Sequence, residues 1–356
     1  AMETASILAL WAAWHGDKAL DRATRGRRLV LVAVGGVLIG GCFYTYIAAR
    51  VFPLMLAAWF LWRIVAVPAS RRLGELGEWA LAGVVAVVVA APLGLYFLRH
   101  PDQFLERAAQ VAAFEPAVTG PVYSGGILGS TLRTLGMFSF KGDALWKFNI
   151  GDKPVFDLAV SLLFYAGIAL MFAAIVRSTT SRRRPAASSA HPTGEAGWLL
   201  LAWIVVMMVP GFLATESPYY YRVIGILPAI YVPPACALVA LCRWVARRRP
   251  RWESAVAGAA GILLVVEAAL TVRDYFVVWG PSQPAYEALH GEAADMARAL
   301  QRLPAGGPVV IASDYYEHPT IRFLAPSQAP RATWTRGSEV FVSPPGDGEA
   351  IYALQG

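Results

Sequence analysis

The stretch that decides the fold is WALAGVVAVVVAAPLGLYFL, residues 79–98, which follows Arg71 and Arg72. A helix of about 20 uncharged residues covers the hydrocarbon core of a bilayer, about 30 Å. Comparable apolar stretches lie at 29–48, 51–68, 155–176, 197–214, 223–245 and 254–276. Because a bilayer offers no water to backbone groups, each stretch is expected to be a helix. The sequence predicts a multi-span α-helical membrane protein.

The composition favours the same class of protein. The chain is 57% hydrophobic and only 15% charged, which is too apolar for a soluble domain of 356 residues. The net charge of +7 comes from short basic connections, with no basic stripe interleaved with exposed aromatic residues, so we expect no nucleic-acid partner. Cys42, Cys236 and Cys242 lie in or beside the apolar stretches without metal-ligand spacing and are expected to be small packing residues.

Basic residues are concentrated in alternate connections, which predicts an orientation. They are dense at 18–28, 71–72, 177–184 and 243–251, whereas the intervening short connections contain Arg50 alone or Arg222 alone. Short basic loops stay in the cytoplasm. The sequence therefore predicts a multi-pass protein of the cell (inner) membrane with residues 99–154, 216–222 and 277–356 on the outer face.

Two domains are expected. Residues 1–276 form the transmembrane domain, in which residues 1–14 are too short for a span and are expected to continue a helix that begins upstream. The outer loop 99–154 is predicted to contain helices that lie in the membrane interface. Residues 277–356 are richer in Gly, Pro, Asp and Glu and predict a small α/β extracytoplasmic domain, with strands at 308–314, near 340–342 and at 351–353 and a short helix at 318–324.

Four clusters of polar residues fall on the predicted outer face. They are Tyr44, Tyr46 and Arg50; His100, Asp102 and Arg107; Lys141, Asp143 and Lys147; and the turn 216–222, which includes Glu216, Tyr220 and Arg222. Interfacial anchoring, helix capping or a solvated turn accounts for the first three clusters structurally, whereas a helical hairpin needs no such density of polar residues as the fourth contains. The functional alternative is an anion site, in which a guanidinium and phenol hydroxyls hold a lipid phosphate. Asp314, Glu317 and His318 match no strong metal motif, so no metal ligand is predicted.

Several runs, taken in order, resemble a known family. They are GGCFYTYIAARVFPLML (40–56), FLRHPDQFLERAAQV (97–111), MFSFKGDALWKFNIGDKPVFD (137–157), ESPYYYRVIGILPAIYV (216–232), DYFVVWG (274–280) and YYEHPTIRFL (315–324). Together they resemble the later two-thirds of bacterial GT-C glycosyltransferases, the polyprenyl-phosphate-sugar transferases similar to protein O-mannosyltransferases and the aminoarabinose transferase of lipid A. The resemblance implies transfer of a sugar from a polyprenyl-phosphate donor to an acceptor hydroxyl.

The resemblance also places the catalytic acids in a first outer loop, which is expected upstream of this chain, so no catalytic residue is named. Fixed cations stabilise the phosphate that leaves. The residues expected to bind the donor phosphate are Tyr44, Tyr46, Arg50, Arg107, Lys141 and Arg222. The residues expected to contact the sugar or acceptor are His100, Asp143, Glu216 and Tyr220. The sugar, the acceptor (protein, lipid or glycan) and a requirement for a divalent cation stay open.

Two other classes of function compete with this interpretation. A transporter or flippase for a lipid-linked or anionic substrate needs polar residues deep in the membrane. Only Glu267 lies well inside an apolar stretch, and Arg63 lies near the end of one. A non-catalytic anchor that presents residues 277–356 is the third possibility, and the dense polar turn 216–222 argues against it.

Overall fold

The computed structural model describes residues 1–15, 22–45, 47–103, 126–181, 192–214, 216–303, 309–312, 318–335 and 351–354. The chain divides into two compact units. The first contains residues 1–144 and 151–266, and the second contains residues 145–150 and 267–356. The second unit therefore begins within the last predicted span, ten residues before the predicted boundary at 276/277.

The first unit is built from helices. They are α1 (Met2–His15), α2 (Arg22–Cys42), α3 (Phe52–Ala66), α4 (Ala69–Arg99), α5 (Gly126–Gly136), α6 (Leu158–Ser181), α7 (Pro192–Met207), α8 (Val209–Phe212), α9 (Leu227–Ile230), α10 (Val232–Arg248) and α11 (Glu253–Arg273), of which residues 267–273 belong to the second unit. Short 3₁₀ helices at Ile47–Val51, Tyr220–Ile226 and Pro250–Trp252 precede α3, α9 and α11.

Six helical segments within the described ranges are long and apolar enough to cross a membrane, and they make this a multi-span helical membrane protein. They are Ala49–Ala66, Ala69–Arg99, Leu158–Thr180, Gly194–Phe212, Tyr220–Arg248 and Pro250–Trp279. The predicted span at 29–48 is not one of them. Its helix, α2, ends at Cys42, and arginines at 25, 27 and 28 occupy its first turns, so the apolar part is too short.

Helix α2 packs on α1 and α4, α3 packs on α7, and α6 packs on both α7 and α10. Glycine allows the close approach of α2 to α4. A Cβ on Gly36 would lie 2.6 Å from the Ala82 carbonyl oxygen, and one on Gly40 would lie 2.5 Å from that of Ala86. Small residues at such a contact let helix backbones meet within a membrane.

The short helix α5 has two different faces. Ser130 and Thr134 are buried, and their hydroxyls donate to backbone carbonyls at the end of a candidate span. Leu128 and Leu132 are 71% and 61% exposed. This is the amphipathic pattern predicted for an interface helix in the 99–154 loop. Residues 104–125, which complete that loop, lie outside the described residues.

In the second unit, α11 continues as a π-helical segment, Asp274–Trp279, and the Trp279 indole donates to the Trp146 carbonyl at 2.6 Å. This contact holds residues 145–150 in the second unit. The unit also contains α12 (Gln283–Ala288), α13 (Gly291–Gln301), β1 (Val309–Ala312), α14 (Pro319–Leu324), a 3₁₀ turn (Ala329–Arg331), β2 (Ala332–Thr335) and β3 (Ile351–Leu354).

The three strands form a parallel sheet in the order β2-β1-β3, with Val310 opposite Thr333 and Tyr352. Ala293, Ala297 and Leu300 of α13 are buried against the same small core as Ile311 and Ile321. Strand β2 was not predicted from the sequence, and the strand predicted near 340–342 lies outside the described residues.

Candidate functional site

A cavity of about 750 Å³ lies between the C-terminal half of α4 and the segment that connects α2 to α3. We call it the Arg50 groove; its lining residues are Phe43, Arg50, Ala90, Leu93, Gly94, Phe97, Leu98 and Pro101. Among the lining residues that the structure describes, Arg50 alone carries a charge. Its guanidinium carbon lies 5.1 Å from the centre of the Phe97 ring. The groove is thus an apolar slot with one cation.

Local backbone structure places Arg50 in this groove. The chain leaves α2 at Cys42, and Ile47–Val51 forms a 3₁₀ turn before α3 begins at Phe52, with Pro53 in its first turn. The hydroxyl of Tyr44 donates to the Val89 carbonyl at 2.8 Å, which ties the end of α2 to α4. Tyr44 therefore anchors a helix, and its phenol proton is committed to that contact. Tyr46, the other predicted phenol, lies outside the described residues.

His100 directly follows α4 and precedes the groove residue Pro101. Its ring stacks on Tyr96 with centroids 4.4 Å apart, and Nδ1 lies 3.0 Å from the Tyr96 carbonyl oxygen. The next residue, Pro101, lines the groove, whereas His100 and Asp102 are not among its lining residues. Arg107, predicted to bind the donor, lies outside the described residues.

A second cavity of about 370 Å³ joins the third and fourth predicted clusters. We call it the Lys141 cavity; it is lined by Leu132, Arg133, Gly136, Phe140, Lys141, Gly142, Ala144, Asp152, Ser217 and Pro218. Lys141 Nζ lies 3.3 Å from Asp152 Oδ2. Arg133, which the sequence analysis missed, donates from Nε to the backbone oxygen and Oγ of Ser217 at 3.1 and 3.2 Å.

The structure corrects the prediction for Asp143. This residue is only 1% exposed, and its Oδ2 accepts a hydrogen bond from the Tyr220 backbone N–H at 2.8 Å. The Tyr220 hydroxyl in turn donates to the Lys153 carbonyl at 2.8 Å. A sugar or acceptor has no access to a buried carboxylate. Asp143 and Tyr220 instead connect the segment before α6 to the turn that begins the next candidate span.

Arg222 and Glu216 form a pair at the other side of that turn. Arg222 Nη2 lies 3.5 Å from Glu216 Oε2, and the Arg222 guanidinium carbon lies 4.7 Å from the centre of the Tyr219 ring. The 3₁₀ helix Tyr220–Ile226 packs against the 3₁₀ turn Ile47–Val51. The elements that contain Arg222 and Arg50 are therefore neighbours.

Sequence reasoning missed a second polar region, which we call the Arg63 cluster. Arg63 is 4% exposed, and its Nε and Nη2 donate to both oxygens of Glu75 at 3.0 and 2.7 Å. Its Nη1 donates to Glu195 Oε1 at 2.6 Å, and Trp59 donates to the same oxygen at 2.9 Å. One buried guanidinium thus joins α3, α4 and α7.

The remaining members of the Arg63 cluster are Trp14, Arg28, Glu78 and His15. Trp14 Nε1 and Arg28 Nη2 donate to Glu78 Oε2 at 2.8 and 2.7 Å, and His15 Nε2 lies 3.3 Å from Glu195 Oε2. The sequence signal was present: tryptophans and charged residues recur where α1 and α3 end and where α2, α4 and α7 begin. All of these helix ends lie beside the basic connections.

Comparison with known proteins adds no family: no protein-family model matches the chain, and no curated protein matches it. Within the described ranges, no group of three or more His, Cys, Asp or Glu side chains is placed to hold a metal ion. Asp314 and Glu317 lie outside those ranges. The fold and the cavities define a multi-span helical membrane protein with cation-lined cavities at one end of its helices.

Proposed function

We propose that the protein is a membrane glycosyltransferase of the GT-C type, which transfers a sugar from a polyprenyl-phosphate donor to an acceptor hydroxyl. The observation that carries the proposal is the Arg50 groove. An isoprenoid chain is long and apolar and its phosphate is anionic, and the groove offers about 750 Å³ of apolar space with a single cation. Ligand sites usually combine an apolar lining with a few placed polar groups.

The groove also suits the chemistry of the reaction. Breaking the bond between the sugar and the phosphate leaves negative charge on the phosphate, so a fixed cation binds the transition state more tightly than the ground state. Apolar walls exclude water and strengthen that attraction. Arg50 is held beside Phe97, so little reorganisation is needed when charge develops.

Arg222 is the second cation in the proposal. Its 3₁₀ helix packs on the turn that contains Arg50, and Glu216 orients the guanidinium. Glu216 is also our candidate for holding a sugar hydroxyl, and His100 flanks the groove as a second such candidate. Lys141 lies at the other cavity, and we assign it no contact with the donor phosphate. The sugar, the acceptor and the catalytic base are not assigned.

We further propose that the end containing these cavities faces outward across the inner membrane. The basic connections lie next to the opposite ends of the helices, and short basic loops stay in the cytoplasm. Residues 277–356, which include the three-stranded parallel sheet, would then form a small extracytoplasmic α/β domain.

A transporter or flippase is the second candidate, and buried charge favours it. Arg63 and Glu195 lie within candidate spans, where charged residues often mark transport pathways. Both are paired with each other and with further partners, and neither lines the Arg50 groove or the Lys141 cavity. A closed ion-pair cluster of this kind suits helix packing better than passage of a substrate.

The test is the substitution Arg50→Gln, assayed with a radiolabelled polyprenyl-phosphate sugar. We expect transfer in membranes to fall about 10²- to 10³-fold, and donor binding to the purified protein to weaken. Arg99→Gln is the matched control. Arg99 is exposed at the C-terminal end of α4, the half of the helix that lines the groove, but Arg99 itself does not line it. Equal activity of the two variants rejects the proposal. If the radiolabelled donor crosses the membrane of vesicles and no sugar is transferred to an acceptor, the result supports the transporter.

A further inference from the structure

The Lys141 cavity lies at the level where candidate spans end. Ser217 and Pro218, on one wall, belong to the short connection between the span that ends at Phe212 and the span that begins at Tyr220. Lys141 and Asp152, on another wall, precede the span that begins at Leu158. A cavity formed by such connections lies next to lipid head groups.

Apolar side chains beside the cavity are positioned to enter the lipid. Helix α5 is fixed on its polar side, because Ser130 Oγ donates to the Gly211 and Ala214 carbonyls at 3.0 and 2.7 Å. Its opposite side presents Leu128 and Leu132, and Phe140 follows with 80% exposure. Exposed leucine and phenylalanine next to a membrane surface partition into the boundary between head groups and acyl chains.

The cations of the cavity lie on the same side as these apolar residues. Leu132 and Arg133 are adjacent in α5, and Phe140 and Lys141 are adjacent in the following turn, and all four line the cavity. The contact of Arg133 with Ser217 fixes its guanidinium against the wall. Among the described lining residues, the cations Arg133 and Lys141 outnumber the one carboxylate, Asp152, which lies 3.3 Å from Lys141, so the lining carries a net positive charge.

We propose that the Lys141 cavity binds the anionic head group of a membrane lipid, with Leu132 and Phe140 against its acyl chains. The site pairs an apolar surface with adjacent cations, the arrangement by which interfacial segments select anionic lipids. It shares no lining residue with the Arg50 groove, so it stands independently of the glycosyltransferase proposal.

The experiment is native mass spectrometry of the full chain with phosphatidylglycerol, and with phosphatidylcholine as the neutral lipid. Lys141→Gln should weaken phosphatidylglycerol binding about fivefold, as expected for one cation near a membrane surface. Asp152→Asn should strengthen it by removing the opposing charge. Asn suits this position, since residue 152 has a φ of 61°. Lys153→Gln is the matched control, because Lys153 does not line the cavity.

Four results would overturn the proposal. One is equal binding of the two lipids, and another is an equal effect of Lys141→Gln and Lys153→Gln. The third is full displacement of the lipid by soluble glycerol phosphate at the same concentration, which would show recognition of the anion alone. Arg50→Gln should leave phosphatidylglycerol binding unchanged; loss of this binding in Arg50→Gln places the lipid in the Arg50 groove and rejects the Lys141 site.

Discussion

The two ends of the helical unit differ in the surroundings of their charged side chains. Helices α2, α3, α4 and α7 each contribute one end to the Arg63 cluster, while their other ends lie towards the cavities. In the Arg63 cluster, Glu75, Glu78 and Glu195 each accept hydrogen bonds from cations or indoles at 2.6–3.0 Å. At the other end, Arg50 lies in an apolar groove and Lys141 is 71% exposed.

The difference separates a structural role for charge from a binding role. Ion pairs buried in a protein contribute little net stability when complete, but removing one partner leaves an uncompensated buried charge. The Arg63 cluster therefore specifies which helices meet at its end. The cations Arg50, Arg133 and Lys141 instead line cavities that an anion can enter. Substitutions in the Arg63 cluster should therefore destabilise the fold, whereas substitutions of the cavity cations should weaken ligand binding.

The strongest test of this contrast is Arg63→Ala. The substitution leaves Glu75 and Glu195 without their cation, and we expect the free energy of unfolding to fall by about 3–5 kcal/mol. The measurement is unfolding in mixed micelles titrated with dodecyl sulfate, followed by tryptophan fluorescence. Arg72→Ala is the control, since Arg72 is exposed and donates to the Val67 carbonyl. If the two variants unfold at the same dodecyl sulfate concentration, the cluster does not hold the helices together.

Next in size is Asp143→Ala, at the cavity end. Because the carboxylate accepts from the Tyr220 backbone N–H within the protein, its loss should reduce the free energy of unfolding by about 1.5–3 kcal/mol. Asp102→Ala, at an exposed position, should change it by less than about 0.5 kcal/mol. The same micelle titration measures both. Weaker sugar binding by Asp143→Ala with unchanged stability would restore the role that the sequence first suggested.

The class of fold was predictable because the length of an uncharged run sets whether a helix crosses a bilayer. The run 79–98 lies inside α4, and the multi-span helical class is confirmed. The end of α2 at Cys42 was not predicted. Hydropathy continues through Phe43 and Ile47, and the turn between them is stabilised locally, as in the bond from Thr45 Oγ1 to the Cys42 carbonyl.

The candidate site was only partly predictable. Residue type and location near span ends indicated Arg50 and Lys141, and the structure places each in a cavity. The same signals selected Asp143, because a sequence does not show whether a carboxylate faces solvent or a backbone N–H. Arg63 was visible near the end of an apolar stretch, but its partners come from two other helices. Pairing at that distance along the chain depends on helix packing.

A third prediction concerns the close packing of α2 on α4 towards the cavity end. Gly40→Ala would place a Cβ 2.5 Å from the Ala86 carbonyl oxygen, so α2 and α4 must separate. We expect a loss of about 1–3 kcal/mol in the free energy of unfolding, the usual effect of overpacking. Gly83→Ala is the control, because nothing lies within 4 Å of a Cβ there. It should stabilise the helix by about 0.5–1 kcal/mol. If Gly40→Ala and Gly83→Ala change the free energy of unfolding in the same direction, the close backbone packing at Gly40 is contradicted.

The smallest expected effect is that of Tyr44→Phe. The Tyr44 side chain is 51% exposed, and its hydroxyl donates to the Val89 carbonyl beside the Arg50 groove. Loss of one such hydrogen bond should reduce the free energy of unfolding by about 0.5–1.5 kcal/mol. Because the phenol proton is already donated to that carbonyl, we expect the affinity for a polyprenyl-phosphate sugar to change less than twofold.

Tyr96→Phe serves as the comparison for this variant. Its hydroxyl donates to the exposed Gln103 side chain, so its removal should alter neither stability nor donor affinity measurably. A tenfold loss of donor affinity in Tyr44→Phe with unchanged stability would show that this hydroxyl turns toward the phosphate when the donor binds. The cavity end would then contain a phenol that rearranges on binding, whereas the Arg63 end has fixed partners with or without a ligand.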